Sequence, residues 1–206
     1  MDGQTDNRKQ LTRLLNEVAA HEGIHRTLVE GVWVARHSEP RPRTPVIYEP
    51  MIVVGQGCKH GYLGDAVYVC DPFTYLVLSV PLPVECEWEA SPEKPLLLVA
   101  ISVEPTTLGE IILEMDEPLL PVSPVPRGIS TTPMSEELSG AVIRLLECLK
   151  CPLDSRMLGC PTAREIVYRV LRGEEGGSLR ALANRDEHFT RIARVLKDIH
   201  TDCAKP

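Results

Sequence analysis

Short runs of Val, Ile, Leu and Tyr, broken by Gly, Pro and Asp, fill the chain from Gly23 to Val103. That texture constrains the fold more than any other feature. Runs this short suit strands, and the turn residues between them stop helices. Strands are expected near Arg26–Ala35, Val46–Gln56, Lys59–Leu63, Ala66–Cys70, Thr74–Val80, Val84–Glu89 and Leu96–Val103. Gly64-Asp65 suits a tight hairpin turn, and Asp71-Pro72 starts another. Several short strands with regular turns predict a sandwich or a small barrel.

The flanks read differently. In Lys9–Ala20, Leu11, Leu14, Leu15 and Val18 fall at i, i+3, i+4 and i+7, one apolar helix stripe. Pro105-Thr106 opens a helix carried by Leu108, Ile111, Ile112 and Met115. Pro118 to Pro133 is proline-rich, either pinned extended chain or a hinge. Ser135–Cys151 carries a stripe of Leu138, Ala141, Val142, Leu145, Leu146 and Leu149. Pro152–Leu158 reads as a short helical piece. Thr162-Ala163-Arg164-Glu165 has the pattern of a capping box and opens the next helix, which stops at Gly173. Ser178–Ala183 and Asp186–Thr201 are further helices. The class is therefore α+β, strands first and helices after.

The chain has 206 residues, enough for a sizeable core in one or two domains. Its apolar runs are too short to cross a bilayer. MDGQTDNRKQ is no secretory signal, so the expected compartment is the cytoplasm. Seven scattered cysteines do not form a disulfide framework. Net charge is −7, which argues against gripping a phosphate backbone. Ala163–Lys197 nonetheless carries +3. Its arginines read as a solvated face paired with nearby acids rather than a phosphate site.

Six pieces carry a family resemblance. They are Tyr48-Glu49-Pro50, Gln56-Gly57-Cys58-Lys59, Leu63-Gly64-Asp65, Asp71-Pro72 with Tyr75-Leu76, Leu82-Pro83-Val84, and Ala90-Ser91-Pro92-Glu93-Lys94-Pro95. In this order they resemble the sensing domain at the front of AraC-type transcription regulators. Arg164–Gly173 and His188–Ala193 resemble later parts of the same family. The resemblance implies a cupin-like antiparallel barrel over residues 23–117, preceded by an N-terminal helix (1–22). A connector (118–133) and a helical dimerisation and linker region (134–206) would follow. It implies a small-molecule effector, a homodimer, and DNA contact only through a C-terminal helix-turn-helix domain. Pro206 falls where the first such unit would begin, so a truncation is expected.

The candidate ligand-binding residues are Tyr48, Gln56, Lys59, Tyr75 and Trp88, polar-tipped or aromatic groups on expected strands. A one-residue error in strand phase would turn any of them outward, and packing is an equal reading for each. Leu138, Val142, Leu145 and Leu149 are the expected dimer face, as the helix after the barrel is in similar regulators. The other reading packs them on their own barrel.

Cys58 beside Lys59 is a candidate reactive thiol, with an ordinary strand residue the plainer reading. Cys148 and Cys151 close a helix at its C-terminus, where the dipole disfavours thiolate, so they read as structural.

No metal or cofactor is expected. His60-Gly61-Tyr62 lacks the second histidine of metal-binding cupins, and Gly23 interrupts the His21/His25 pair. No G-x-S-x-G, P-loop or G-x-G-x-x-G is present. The expected protein is no enzyme. The alternative is a cupin-type metal-dependent enzyme acting on a small metabolite.

Overall fold

The computed structural model describes residues 2–72, 74–79, 82–116 and 128–184. Helix α1 (Asp2–Val18) precedes nine strands. These are β1 (Gly23–Arg26), β2 (Val32–His37), β3 (Arg41–Tyr48), β4 (Met51–Gln56), β5 (Cys58–Leu63), β6 (Ala66–Cys70), β7 (Thr74–Leu78), β8 (Leu82–Glu89) and β9 (Leu96–Ser102). Then come α2 (Pro105–Met115), β10 (Ile129–Pro133), α3 (Glu136–Leu149), α4 (Pro152–Arg172) and α5 (Gly176–Asn184). The helix expected over Asp186–Thr201, Cys203, and residues 118–127 of the connector lie outside the described residues.

The strands form two antiparallel sheets. One runs β1-β2-β9-β4-β7-β10 and the other β3-β8-β5-β6. The α+β class holds, but the sheets do not close into the expected barrel. They face each other as an open pair.

The six-stranded sheet is covered on both faces, so strand periodicity sorts its side chains into two cores. On β9, Leu97, Val99 and Ile101 face the helices, while Leu96 and Leu98 face the other sheet. Ile52 and Val54 of β4 and Val77 of β7 join the first group; Val53, Leu76 and Leu78 join the second. Double coverage explains why these strands read as continuous apolar runs rather than as alternation. The helix-side core takes in Leu11, Leu14 and Leu15 of α1, Leu138 to Leu146 of α3, and Ile166 and Val170 of α4.

The chain changes sheets at the motifs quoted above. Glu49-Pro50 carries it from β3 to β4, Gly57 from β4 to β5, Asp71-Pro72 from β6 to β7, and Ser91–Pro95 from β8 to β9. Gly57 has φ +100°, a conformation that disfavours any side chain. At Asp71, the Thr74 hydroxyl and backbone N–H both donate to the Asp71 carbonyl. Pro and Gly recur because each corner must stop one ladder and start another.

Two strand expectations merged separate elements. Arg26–Ala35 is broken at Gly31 (φ +71°), and Val46–Gln56 spans β3 and β4 in different sheets. The proline-rich connector contains β10, which pairs with β7 from Ile129↔Leu78 to Pro133↔Thr74. The capping box does not form. Helix α4 runs unbroken through Pro161, and Thr162 Oγ1 donates 2.7 Å back to the Leu158 carbonyl. Glu165 instead receives Arg144 and Arg169.

Candidate functional site

A cavity of about 790 Å³ lies between the two sheets, within the range of small-molecule sites. Its walls include Val46, Met51, Val53, Leu98 and Ala100, with Trp33 and Trp88. Cross-strand register sets its polar groups. On the four-stranded sheet Arg41 pairs with Trp88, Trp88 with Lys59, and Lys59 with Cys70. One row of inward side chains therefore reads Arg41–Trp88–Lys59–Cys70 from β3 to β6. The same alternation sends Glu85, Glu87 and Glu89 of β8 outward, since Val84, Cys86 and Trp88 face in.

Lys59 Nζ donates a 2.7 Å hydrogen bond to the Tyr48 hydroxyl. It lies 4.6 Å from the centroid of the Tyr48 ring and 5.8 Å from that of Trp88. The Arg41 guanidinium is 5.2 Å from the Trp88 centroid. From the facing sheet the His37 ring packs on Trp88 at 4.7 Å. Trp88 Nε1 is anchored by donating to the Glu39 carbonyl at 3.2 Å. Three basic groups thus surround one indole, attracted by its π face.

Burial pushes the Lys59 ammonium below its ordinary value; Cys86 and Cys70 oppose this, and Arg41 adds to it. Lys59 keeps accessible surface because it borders the cavity, while protein groups crowd its ammonium. Burial also lowers His37, against the pull of Glu22 and with help from Lys59 and Arg41. Burial and the neighbouring Cys86 raise the Tyr48 phenol, so it stays neutral. Burial raises the Cys70 thiol to about 11 despite Lys59.

Of the five expected ligand residues, three meet here: Tyr48, Lys59 and Trp88. Tyr75 faces the helices, in phase with Val77. Its phenol is raised to about 12 by burial and by Glu175. Gln56 is in phase with Ile52 and Val54 and donates to the Pro95 carbonyl at 3.4 Å. Neither lines the cavity. Sequence reasoning missed Arg41 and His37, which lie outside the quoted motifs.

A family model for the AraC-type transcriptional regulator N-terminus matches residues 28–178. The chain belongs to this family. The AraC-type domain is also similar in fold to the crystal structure of an apo ToxT variant from Vibrio cholerae strain SCE256. The TM-score is 0.50 at 7% identity, covering 74% of this chain and 58% of that one. At that identity the likeness carries the fold alone. The chain spans less than two thirds of that structure's length. No curated protein sequence matches.

Two other expectations for this AraC-type domain change. Leu138, Val142 and Leu145 are at most 3% exposed and pack inside the chain's own core, with Leu149 against it. One stripe serves one partner, so this face is not open to a second copy. The Cys58 thiol is raised, first by burial and then by Asp71 and Glu89. Adjacent strand residues point to opposite faces, so Lys59 does not activate it. Its Sγ lies 3.8 Å from His60 Nε2.

Among the described residues no group of three or more His, Cys, Asp or Glu is placed to hold a metal ion. No described helix is long and apolar enough to cross a membrane.

Proposed function

We propose that this domain is the sensor of an AraC-type regulator, and that a small organic molecule occupies the cavity between its sheets. The observation that carries this is the cavity itself: apolar walls with a few converging polar groups on a rigid sheet. That is the composition of a small-molecule site rather than of a filled core. The regulator would act in the cytoplasm as a non-enzymatic homodimer and reach DNA through a separate helix-turn-helix domain.

The six-stranded sheet is the route from ligand to helices. Its strands present alternate residues to the cavity and to the helix-side core, so a shift of Leu98 or Val53 moves Val99 or Ile52. Such a shift resets the helices only if the ligand prefers one packing over the other. The dimer face we propose is the outer side of α4, where Leu153, Met157, Leu158 and Tyr168 are exposed.

The test is protein-observed NMR of the chain against a fragment library, repeated with Ala100→Phe, which fills the cavity. Hits should perturb residues lining the cavity and disappear in the variant. Hits that map elsewhere, or survive the substitution, would sink the reading.

A further inference from the structure

We infer that the cavity is built for an organic carboxylate, its charged end held against the Arg41–Trp88–Lys59 row and its apolar body along Met51, Val53 and Leu98. This rests on reading the cavity as a ligand pocket and names the class of ligand.

The first argument is charge without a counter-charge. Among the described residues no carboxylate lies within 4.0 Å of Lys59 Nζ or of the Arg41 guanidinium. The arginine two residues on shows the contrast. Arg43 faces outward and is bound by Glu85. A cation removed from water without an ion partner is costly. Lys59 is held in this way, crowded by protein groups, and the partly buried Arg41 shares the same indole, with His37 close by. A ligand anion would supply the missing charge.

The second argument is geometry. An ammonium has three donors, and the described hydrogen bond to Tyr48 uses one. The guanidinium fork of Arg41 suits the two oxygens of a carboxylate. Both groups come from strands β3 and β5 of one sheet, each paired with β8, so their spacing is set by register rather than by a flexible loop.

The third argument is the surroundings of Lys59. Arg41 and Tyr48 face it from β3, Cys86 and Trp88 from β8, Cys70 from β6, and His37 from the other sheet. None of them is a carboxylate. The two carboxylates that line the cavity, Glu49 and Glu104, belong to the β3–β4 turn and to the N-cap of α2, and neither forms an ion pair with Lys59 or Arg41. The lowered value of Lys59 fits an ammonium that lacks its counter-ion, and an anion would restore it.

The test uses 2-naphthoate and octanoate, each beside its methyl ester, by calorimetry and thermal shift on this chain. The acids should bind at least about tenfold more tightly than the esters. Lys59→Met should abolish that preference by weakening the acids far more than the esters, and should raise the melting temperature of the free protein. Acid affinity should fall as pH rises through the Lys59 titration.

Equal binding of acid and ester overturns the proposal but leaves the sensor reading standing, as does a preference that survives Lys59→Met. No binding by any of the four compounds also overturns it. Acid binding that needs Lys59 but leaves hydrogen exchange in α3, α4 and α5 unchanged would keep the anion site and remove the sensing function.

Discussion

The Thr132 hydroxyl donates a 2.7 Å hydrogen bond to Glu175 and so ties β10 to the corner between α4 and α5. Ser130, on the same strand, also donates to Glu175, and Ser178 of α5 does so at 3.1 Å. Three hydroxyls from two elements converge on one carboxylate. Thr132 is buried, so losing the acceptor leaves its hydroxyl short of a partner. Glu175→Ala should destabilise by about 1–3 kcal/mol. At about 2–4 °C per kcal/mol for a chain of this size, a thermal melt will show it.

Lys59→Met should make the free protein more stable at neutral pH, because burial disfavours the charged amine in the folded state. The folded pKa is lowered, so the penalty is complete below it. Between that value and the ordinary one near 10.4 the unfolded chain binds more protons, and wild-type stability rises with pH. Urea unfolding in that window should therefore show the wild type approaching Lys59→Met as pH rises. A constant gap would show that the amine is not titrating against burial.

Gly159 of α4 packs on Val29. A Cβ built there would lie 2.2 Å from Val29 Cγ2. Alanine gains about 1 kcal/mol in helix propensity, while overpacking a closed core costs about 1–3 kcal/mol. Val29 is only 2% exposed and stiff at χ1, so the clash prevails. Gly159→Ala should destabilise by up to about 2 kcal/mol net. In a Val29→Ala background the same change should be neutral or stabilising, which a double-mutant cycle measures.

The outer face of α4 exposes Leu153 by 65% and Met157 by 67%. Replacing both with glutamate should lower the mass of the assembly to that of a monomer in light scattering. The melting temperature of the monomer should change little, because neither side chain enters the core. Glutamates on the expected α3 face, as in Val142→Glu, should unfold the protein instead. A dimer that survives the α4 substitutions would place the interface elsewhere.

Much of the fold was legible along the chain. The α1 stripe of Leu11, Leu14 and Leu15 is buried as its spacing required, and Ser135 caps α3 by accepting from the Leu138 N–H. The turn motifs marked the sheet corners, because Pro and Gly must stand where a ladder stops. Thr162 misled because a hydroxyl inside a helix can bond back to the carbonyl four residues earlier. Pro161, which cannot continue the backbone ladder, is still accommodated within α4.

The site was half legible. Tyr48, Lys59 and Trp88 were reachable by residue type, and Tyr75 and Gln56 were equally plausible by the same criterion. What separates them is strand phase. The four-stranded sheet has one face on the core, so its inward residues face the space between the sheets. The six-stranded sheet is buried on both faces, and Tyr75 sits on the side away from the cavity.

The sequence alone determined the α+β class, the family, the corner motifs and the apolar faces of the helices. These follow from local rules of periodicity and turn chemistry, which act over a few residues. Only the tertiary structure decided that the sheets stay open and that α3 is covered. It alone placed Arg41, Trp88 and Lys59 in one row. They stand on three strands brought together by antiparallel register, and no local pattern records which residues of distant strands become neighbours.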